Sequence, residues 1–218
     1  MLKRRFLLAA AALALAVPAA WADSEEDAVD FFRAAQLDNA KAIKLILARG
    51  LDPNIREPNG GETGLIVAMR YSANKTLALL LAQPGINLEL RAANGNTALM
   101  MAAFNHNMAA VKTLIAKGAE VNQTGWTALH YAAAAGDQEI VAYLLEHYAY
   151  IDAESPSGMT PLMIAAREGK GDVVKQLLEE GADASLKDGG FHLTAAEFAE
   201  KYDKPWIAQS IRTYLQRK

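Results

Sequence analysis

An all-α solenoid, a row of stacked helical hairpins, is the fold this sequence predicts, and three observations predict it. Threonine-led segments recur at Thr63 (TGLIVAM), Thr97 (TALMMAA), Thr127 (TALHYAA), Thr160 (TPLMIAA) and Thr194 (TAAEFAE), at spacings of 34, 30, 33 and 34 residues. A period of that size marks a repeat architecture. Behind each threonine the apolar residues follow two short helical patterns rather than one long one. Neither pattern has enough apolar surface to stand unaided, so each unit needs neighbours like itself.

The stretch 125–149, GWTALHYAAAAGDQEIVAYLLEHYA, shows the unit most plainly. Gly125 is a turn residue, the Thr127 hydroxyl is placed to cap a helix, and Ala128, Leu129, Ala132 and Ala133 give that helix a small apolar face until Gly136 stops it. A second helix follows, with Ile140, Val141, Leu144 and Leu145 on one stripe. The first helix is so rich in alanine that another backbone can lie close against it. Met69, Leu99, Leu129 and Leu162 repeat at core positions.

Taken in order, residues 1–22 stand apart from the repeats. Lys3, Arg4 and Arg5 form a basic start, Phe6 to Val17 is an apolar run of 12, Pro18 breaks it, and Ala20-Trp21-Ala22 has the small-x-small form of a signal-peptidase site. Cleavage after Ala22 is expected, leaving Asp23 first. Phe6 to Ala22 counts 17 residues, short of the roughly 20 that span a bilayer as a helix. Phe6 follows Arg5 directly, which departs from the twin-arginine export pattern. The chain has no cysteine, the residue that a lipoprotein anchor, a disulfide framework or a thiolate metal site requires.

The leader holds three of the 22 basic residues and none of the 25 acidic ones, so the chain without it carries −6 rather than −3. Nucleic acid and anionic membrane are disfavoured as partners, because phosphate neutralisation needs a basic patch. Membrane contact is expected only through the leader before cleavage. Net charge alone favours a neutral or basic protein partner.

Residues 24–57 keep a helix pair, with Phe31, Ala34, Ala35, Ile43, Ile46 and Leu47 apolar, but lack the threonine start. Glu25, Glu26 and Asp27 are expected at the positive end of its first helix. Repeats follow at about 58–91, 92–121, 122–154 and 155–187, and a final unit, 188–218, carries polar Glu197, Glu200, Lys201 and Arg212 where middle units are apolar. Pro205 suits the first turn of its second helix. Together, residues 23–218 form one domain.

The threonine segments, together with second-helix endings such as LILARGLDPN (45–54), LIAKGAEVN (114–122) and LLEEGADAS (177–185), resemble the ankyrin repeat over nearly all of residues 24–216. The resemblance implies an ankyrin-repeat solenoid of helix-turn-helix units with β-hairpin fingers, capped at 24–57 and 188–218. The linker before Trp126 is three residues short, so the finger there is expected to be truncated or reshaped. Tyr148 occupies the helix-stop position of Gly50, Gly118 and Gly181. A tyrosine enters the left-handed conformation only at a cost, so strain or a different cap is expected there.

His130 occupies the histidine position of the family's TPLH-like segment, which implies hydrogen bonds within and between repeats. Ile66, Met100 and Met163 at the equivalent positions leave packing to replace those bonds. His106, His147 and His192 fall at other phases of the repeat, which disfavours a shared metal. Gly60, Gly61, Gly189 and Gly190 are turn glycines without the lysine and hydroxyl of a phosphate loop. No catalytic constellation, metal or cofactor is expected, and the chain is not read as an enzyme.

Carried over position by position, the family's concave face and fingers are Glu62, Arg70 and Tyr71 in repeat two, and Asn96, Phe104 and Asn105 in repeat three. Repeat four supplies Trp126, Tyr131, Ala134 and Ala135, and repeat five Met159, Arg167 and Glu168. Aromatic and arginine side chains dominate interface energetics. The expectation is a periplasmic, non-catalytic protein-binding module, with an exported enzyme or envelope protein as candidate partner. A self-associating structural protein, or an enzyme with an unrecognised site, are the alternatives.

Overall fold

The computed structural model describes residues 19–217. The basic start and apolar run of the expected leader lie outside the described residues, and the expected cleavage point after Ala22 falls within the first helix. Among the described residues there are twelve helices in six pairs. They are α1 (Ala19–Gln36) with α2 (Ala40–Ala48), α3 (Gly64–Arg70) with α4 (Asn74–Leu80), α5 (Ala98–Phe104) with α6 (Met108–Ala116), α7 (Ala128–Ala135) with α8 (Gln138–Glu146), α9 (Pro161–Arg167) with α10 (Gly171–Glu179), and α11 (Ala195–Lys201) with α12 (Pro205–Leu215). Each first helix packs on the next first helix, and second helices pack likewise in a parallel row. The chain is therefore an all-α repeat solenoid. Among the described residues no helix is long and apolar enough to cross a membrane.

Threonine opens the first helix of all five units after 24–57. Thr63, Thr97, Thr160 and Thr194 each accept the backbone N–H three residues on, at 3.3–3.4 Å. Such a cap contributes about 1 kcal/mol. Leu65–Met69, Leu99, Ala102, Ala103, Leu129, Ala132, Ala133 and Leu162–Ala166 then form the buried core. Where α3 meets α1, Gly64 lets the Phe31 ring approach so closely that an added Cβ would lie 2.6 Å from it.

His130 ties two repeats together. Its Nδ1 accepts the Thr127 N–H at 3.2 Å, and its Nε2–H donates to the Met159 carbonyl of the next unit at 2.9 Å. This fixes the neutral tautomer, and burial holds the imidazole below its ordinary pKa of 6.5 despite the backbone bond to Met159. Packing alone does not replace His130 everywhere, because the Met100 and Met163 sulfurs accept the N–H of Thr97 and Thr160 at 3.4 Å. A thioether is a weak acceptor. In the last unit the Glu197 carboxylate takes that place, accepting the Thr194 N–H at 2.7 Å.

Two expectations need correction. The acidic residues at the N-terminus are not in the first turn of α1, because the helix starts at Ala19; Asp27 is instead held by Arg49, whose hydrogen bond lowers its carboxyl pKa. The fingers contain no β-strand among the described residues. They are tight turns with a single isolated bridge, Arg56 to Thr63; those at 92–96 and 155–159 are each closed by a pair of backbone bonds, Ala92 N–H to Asn96 with Gly95 N–H to Ala92, and Ser155 N–H to Met159 with Gly158 N–H to Ser155, all at 2.8–2.9 Å. A left-handed glycine reverses the chain at once (Gly61, Gly95 and Gly158), so there is no length for a ladder. The shortened linker 121–126 has no closing bond among the described residues; Gln123 reaches back to the Glu89 carboxylate instead.

Tyr148 adopts φ +63° in the left-handed region and is 84% exposed. It is strained, and Asn122 holds it. The Asn122 amide donates to the Tyr148 carbonyl at 2.6 Å and accepts the Tyr150 N–H at 2.8 Å. Asn54 clips Gly85 and Asn87 by the same geometry, at 2.9 and 2.8 Å.

Two measurements check these points. Replacing Tyr148→Gly removes the left-handed penalty and is expected to raise unfolding free energy by about 1 kcal/mol, read from urea melts. For His130, the unfolded chain takes up a proton as pH falls below 6.5 while the folded chain does not, so stability falls from there down to the lowered native pKa, by at most about 1.4 kcal/mol per pH unit. In His130→Leu that slope disappears, and at pH 7.5 the variant is less stable by about 1–3 kcal/mol because the Met159 carbonyl loses its donor.

Candidate protein-binding face

The residues that end the first helices and those that close the fingers meet along one side of the stack. Their backbone is fixed by the caps and core just described, so side chains there vary without disturbing the fold.

The eleven residues expected on this face separate into three sets. Glu62, Asn96 and Met159 are buried, Glu62 to 6% exposure, so they support the face rather than present it. Glu62 pairs with Arg70; burial pushes its carboxyl above the ordinary range, and the Arg70 charge opposes that. Asn96 accepts the Tyr131 hydroxyl and donates to Met101 Sδ at 3.3 Å. Met159 gives its carbonyl to His130 and its sulfur to Arg167, at 3.7 Å. Their polar groups are therefore spent inside the chain.

Arg70, Tyr71 and Asn105 form the second set, at the repeat-two end. Asn105 donates to the Met69 and Arg70 carbonyls at 2.8 and 3.0 Å, which makes it a tie between repeats. Tyr71 is exposed.

The third set converges. Phe104, Trp126, Tyr131, Arg167 and Glu168, from three successive repeats, line one open cavity of about 440 Å3. That lies within the range of roughly 300–1,000 Å3 found for ligand pockets. Phe104 and Tyr131 meet edge to face at 6.1 Å and 87°, and Trp126 meets Tyr131 at 6.2 Å and His130 at 5.3 Å. Burial raises the Tyr131 phenol pKa, and its bond to Asn96 opposes the shift. Arg167 Nε pairs with Glu168 at 2.8 Å.

Sequence reasoning missed Ile164 and Lys170, which also line this cavity, and assigned His130 to structure alone. Ile164 follows the core pattern and gave no signal. Lys170 gave only a weak one: it stands at a helix-capping position filled by Asn39, Asn107 and Asp137 in three units, but by Ala73 and Lys204, which also make no side-chain cap, in two others. Its stem instead lies over Gly136, where an added Cβ would be 2.7 Å from the lysine Cδ.

The histidines do not converge. His106 pairs with Asp137 at 2.8 Å, His147 bonds the Tyr143 carbonyl and His130 is buried. Among the described residues no group of three or more His, Cys, Asp or Glu is disposed to hold a metal ion.

Comparison with known proteins agrees with the repeat architecture. The chain is 35% identical over 173 residues to human SH3 and multiple ankyrin repeat domains protein 2, covering 78% of this chain and 9% of that protein. It is 30% identical over 160 residues to human transient receptor potential cation channel subfamily A member 1, covering 68% and 14%. Mouse protein fem-1 homolog A-like is 30% identical over 139 residues, covering 57% and 21%. The chain thus spans a small part of the length of these relatives. The model of ankyrin repeats in three copies matches residues 31–125 and 110–188, and with the stacked helix pairs this establishes that the chain belongs to the ankyrin-repeat family.

Proposed function

We propose that this chain is a non-catalytic protein-interaction module that grips a partner protein at the first-helix ends and fingers of repeats three to five, and that it acts in the periplasm. The observation that carries the reading is the aromatic-walled cavity. The ring of Phe104 is exposed and those of Trp126 and Tyr131 are partly exposed, and all three line one open cavity. Such clustered aromatics are the anchors around which protein interfaces gain most of their energy. Family membership supports the same class, since ankyrin repeats are interaction modules. Export is supported by the basic, apolar, small-x-small order of residues 1–22. The partner in this reading is an exported enzyme or envelope protein that the module inhibits, stabilises or tethers.

Two experiments test it. Affinity capture from periplasmic extract compares the wild-type chain with a Phe104→Ala, Trp126→Ala double variant of equal thermal stability. The double variant is expected to recover at least about tenfold less partner, because loss of a buried aromatic anchor costs about 2 kcal/mol or more; equal recovery removes the site. N-terminal sequencing of the chain expressed in a Gram-negative host is expected to begin at Asp23, and an intact Met1 in the purified protein removes the export reading.

A further inference from the structure

The cavity wall is mixed, with ring and aliphatic carbon beside polar groups, and its polar groups without a partner inside the chain include donors. Tyr131 gives its hydroxyl to Asn96, and both His130 nitrogens are engaged with Thr127 and Met159. What those residues offer inward is ring surface, continued by Ala134 and Ile164. An apolar occupant finds ring and aliphatic surface there to cover, and loses no hydrogen bond to water by doing so.

The rim has a different chemistry. Glu168 is already paired with Arg167. Among the described residues, the Lys170 ammonium has no ion-pair or hydrogen-bond partner, and the half-buried Trp126 indole N–H has no acceptor. Arg167, Glu168 and Lys170 together leave one positive charge beside the rings. This reverses locally the sign of a chain whose net charge is −3. Local charge decides the contact, because exposed charges beyond roughly 8 Å are screened at physiological salt.

Resting on the concave-face reading above, we infer that the cavity receives one large apolar side chain from an extended segment of the partner, with an acidic residue beside it in that segment pairing with Lys170. The Lys170 stem lies over Gly136, and the residue lines this cavity and the adjoining one that holds Asp172 and Trp206. The partner motif is thus a phenylalanine-sized or leucine-sized residue next to aspartate or glutamate, even though the net charge of the whole chain points the other way.

The test titrates blocked peptides into the 15N-labelled full chain and follows the Trp126 indole resonance. The peptides are Gly-Glu-Phe-Glu-Gly, Gly-Lys-Phe-Lys-Gly and Gly-Glu-Ser-Glu-Gly. The acidic phenylalanine peptide is expected to bind about fivefold more tightly than the basic one, the size of a partly exposed ion pair, and the serine peptide is expected to leave the resonance unmoved. Lys170→Met, which keeps the stem over Gly136, is expected to remove the preference for the acidic peptide, and Lys170→Glu to reverse it. Equal binding of acidic and basic peptides by the wild-type chain, an unchanged preference in Lys170→Met, or no movement of Trp126 with any peptide overturns the inference. If the peptides fail while Phe104→Ala, Trp126→Ala still loses the partner in capture, the binding face stands and only the motif falls.

Discussion

The close approach of alanine-walled helices is the constraint on which this molecule depends. Ala102, Ala103, Ala132, Ala133, Ala165 and Ala166 are completely buried between successive first helices, where only a methyl group fits between backbones. Each hairpin therefore buries its apolar face on its neighbours rather than on a shared centre. Stability in such a stack is nearly a sum of units and nearest-neighbour contacts. A larger side chain at any of these alanines would force two repeats apart, since close-packed interiors do not absorb an extra group without strain.

Short helices bring a second constraint. α3, α5, α9 and α11 are seven residues long, while every helix leaves four N–H and four C=O groups without a partner inside itself. Most of the polar backbone must therefore be satisfied from elsewhere. The threonine caps do this within a unit, and His130, Asn54, Asn105 and Asn122 do it between units. The strain of Tyr148 survives because Asn122 clamps the peptide groups on either side of its turn. The same polar ties that let short helices exist also fix the spacing of the repeats.

The binding face is what this scaffolding leaves over. With backbone and core set by period, the first-helix ends are free to carry Phe104, Trp126 and Tyr131 in three-dimensional register. The fold holds their rings edge to face and turns the Tyr131 hydroxyl inward to Asn96. Lys170, at a helix start that it does not cap, places a charged side chain among the residues lining the cavity.

The repeat, its phase, its small-residue walls, the role of His130 and the strain at Tyr148 were all legible along the chain, because each is a local pattern tied to a fixed position in the period. The aromatic residues of the face were legible for the same reason. Their convergence was not, nor was the burial of Glu62, Asn96 and Met159, the sulfur bonds of Met100 and Met163, or the shrinking of the fingers to tight turns. Convergence and burial depend on how far one repeat is rotated and shifted against the next, while the sulfur bonds and the finger turns are set inside one unit by side-chain rotamer and turn geometry. Sequence by itself determined which residues recur at each position of the unit; tertiary structure alone decided which positions of neighbouring units touch, since contact across a stack is set by helix packing in space and not by separation along the chain.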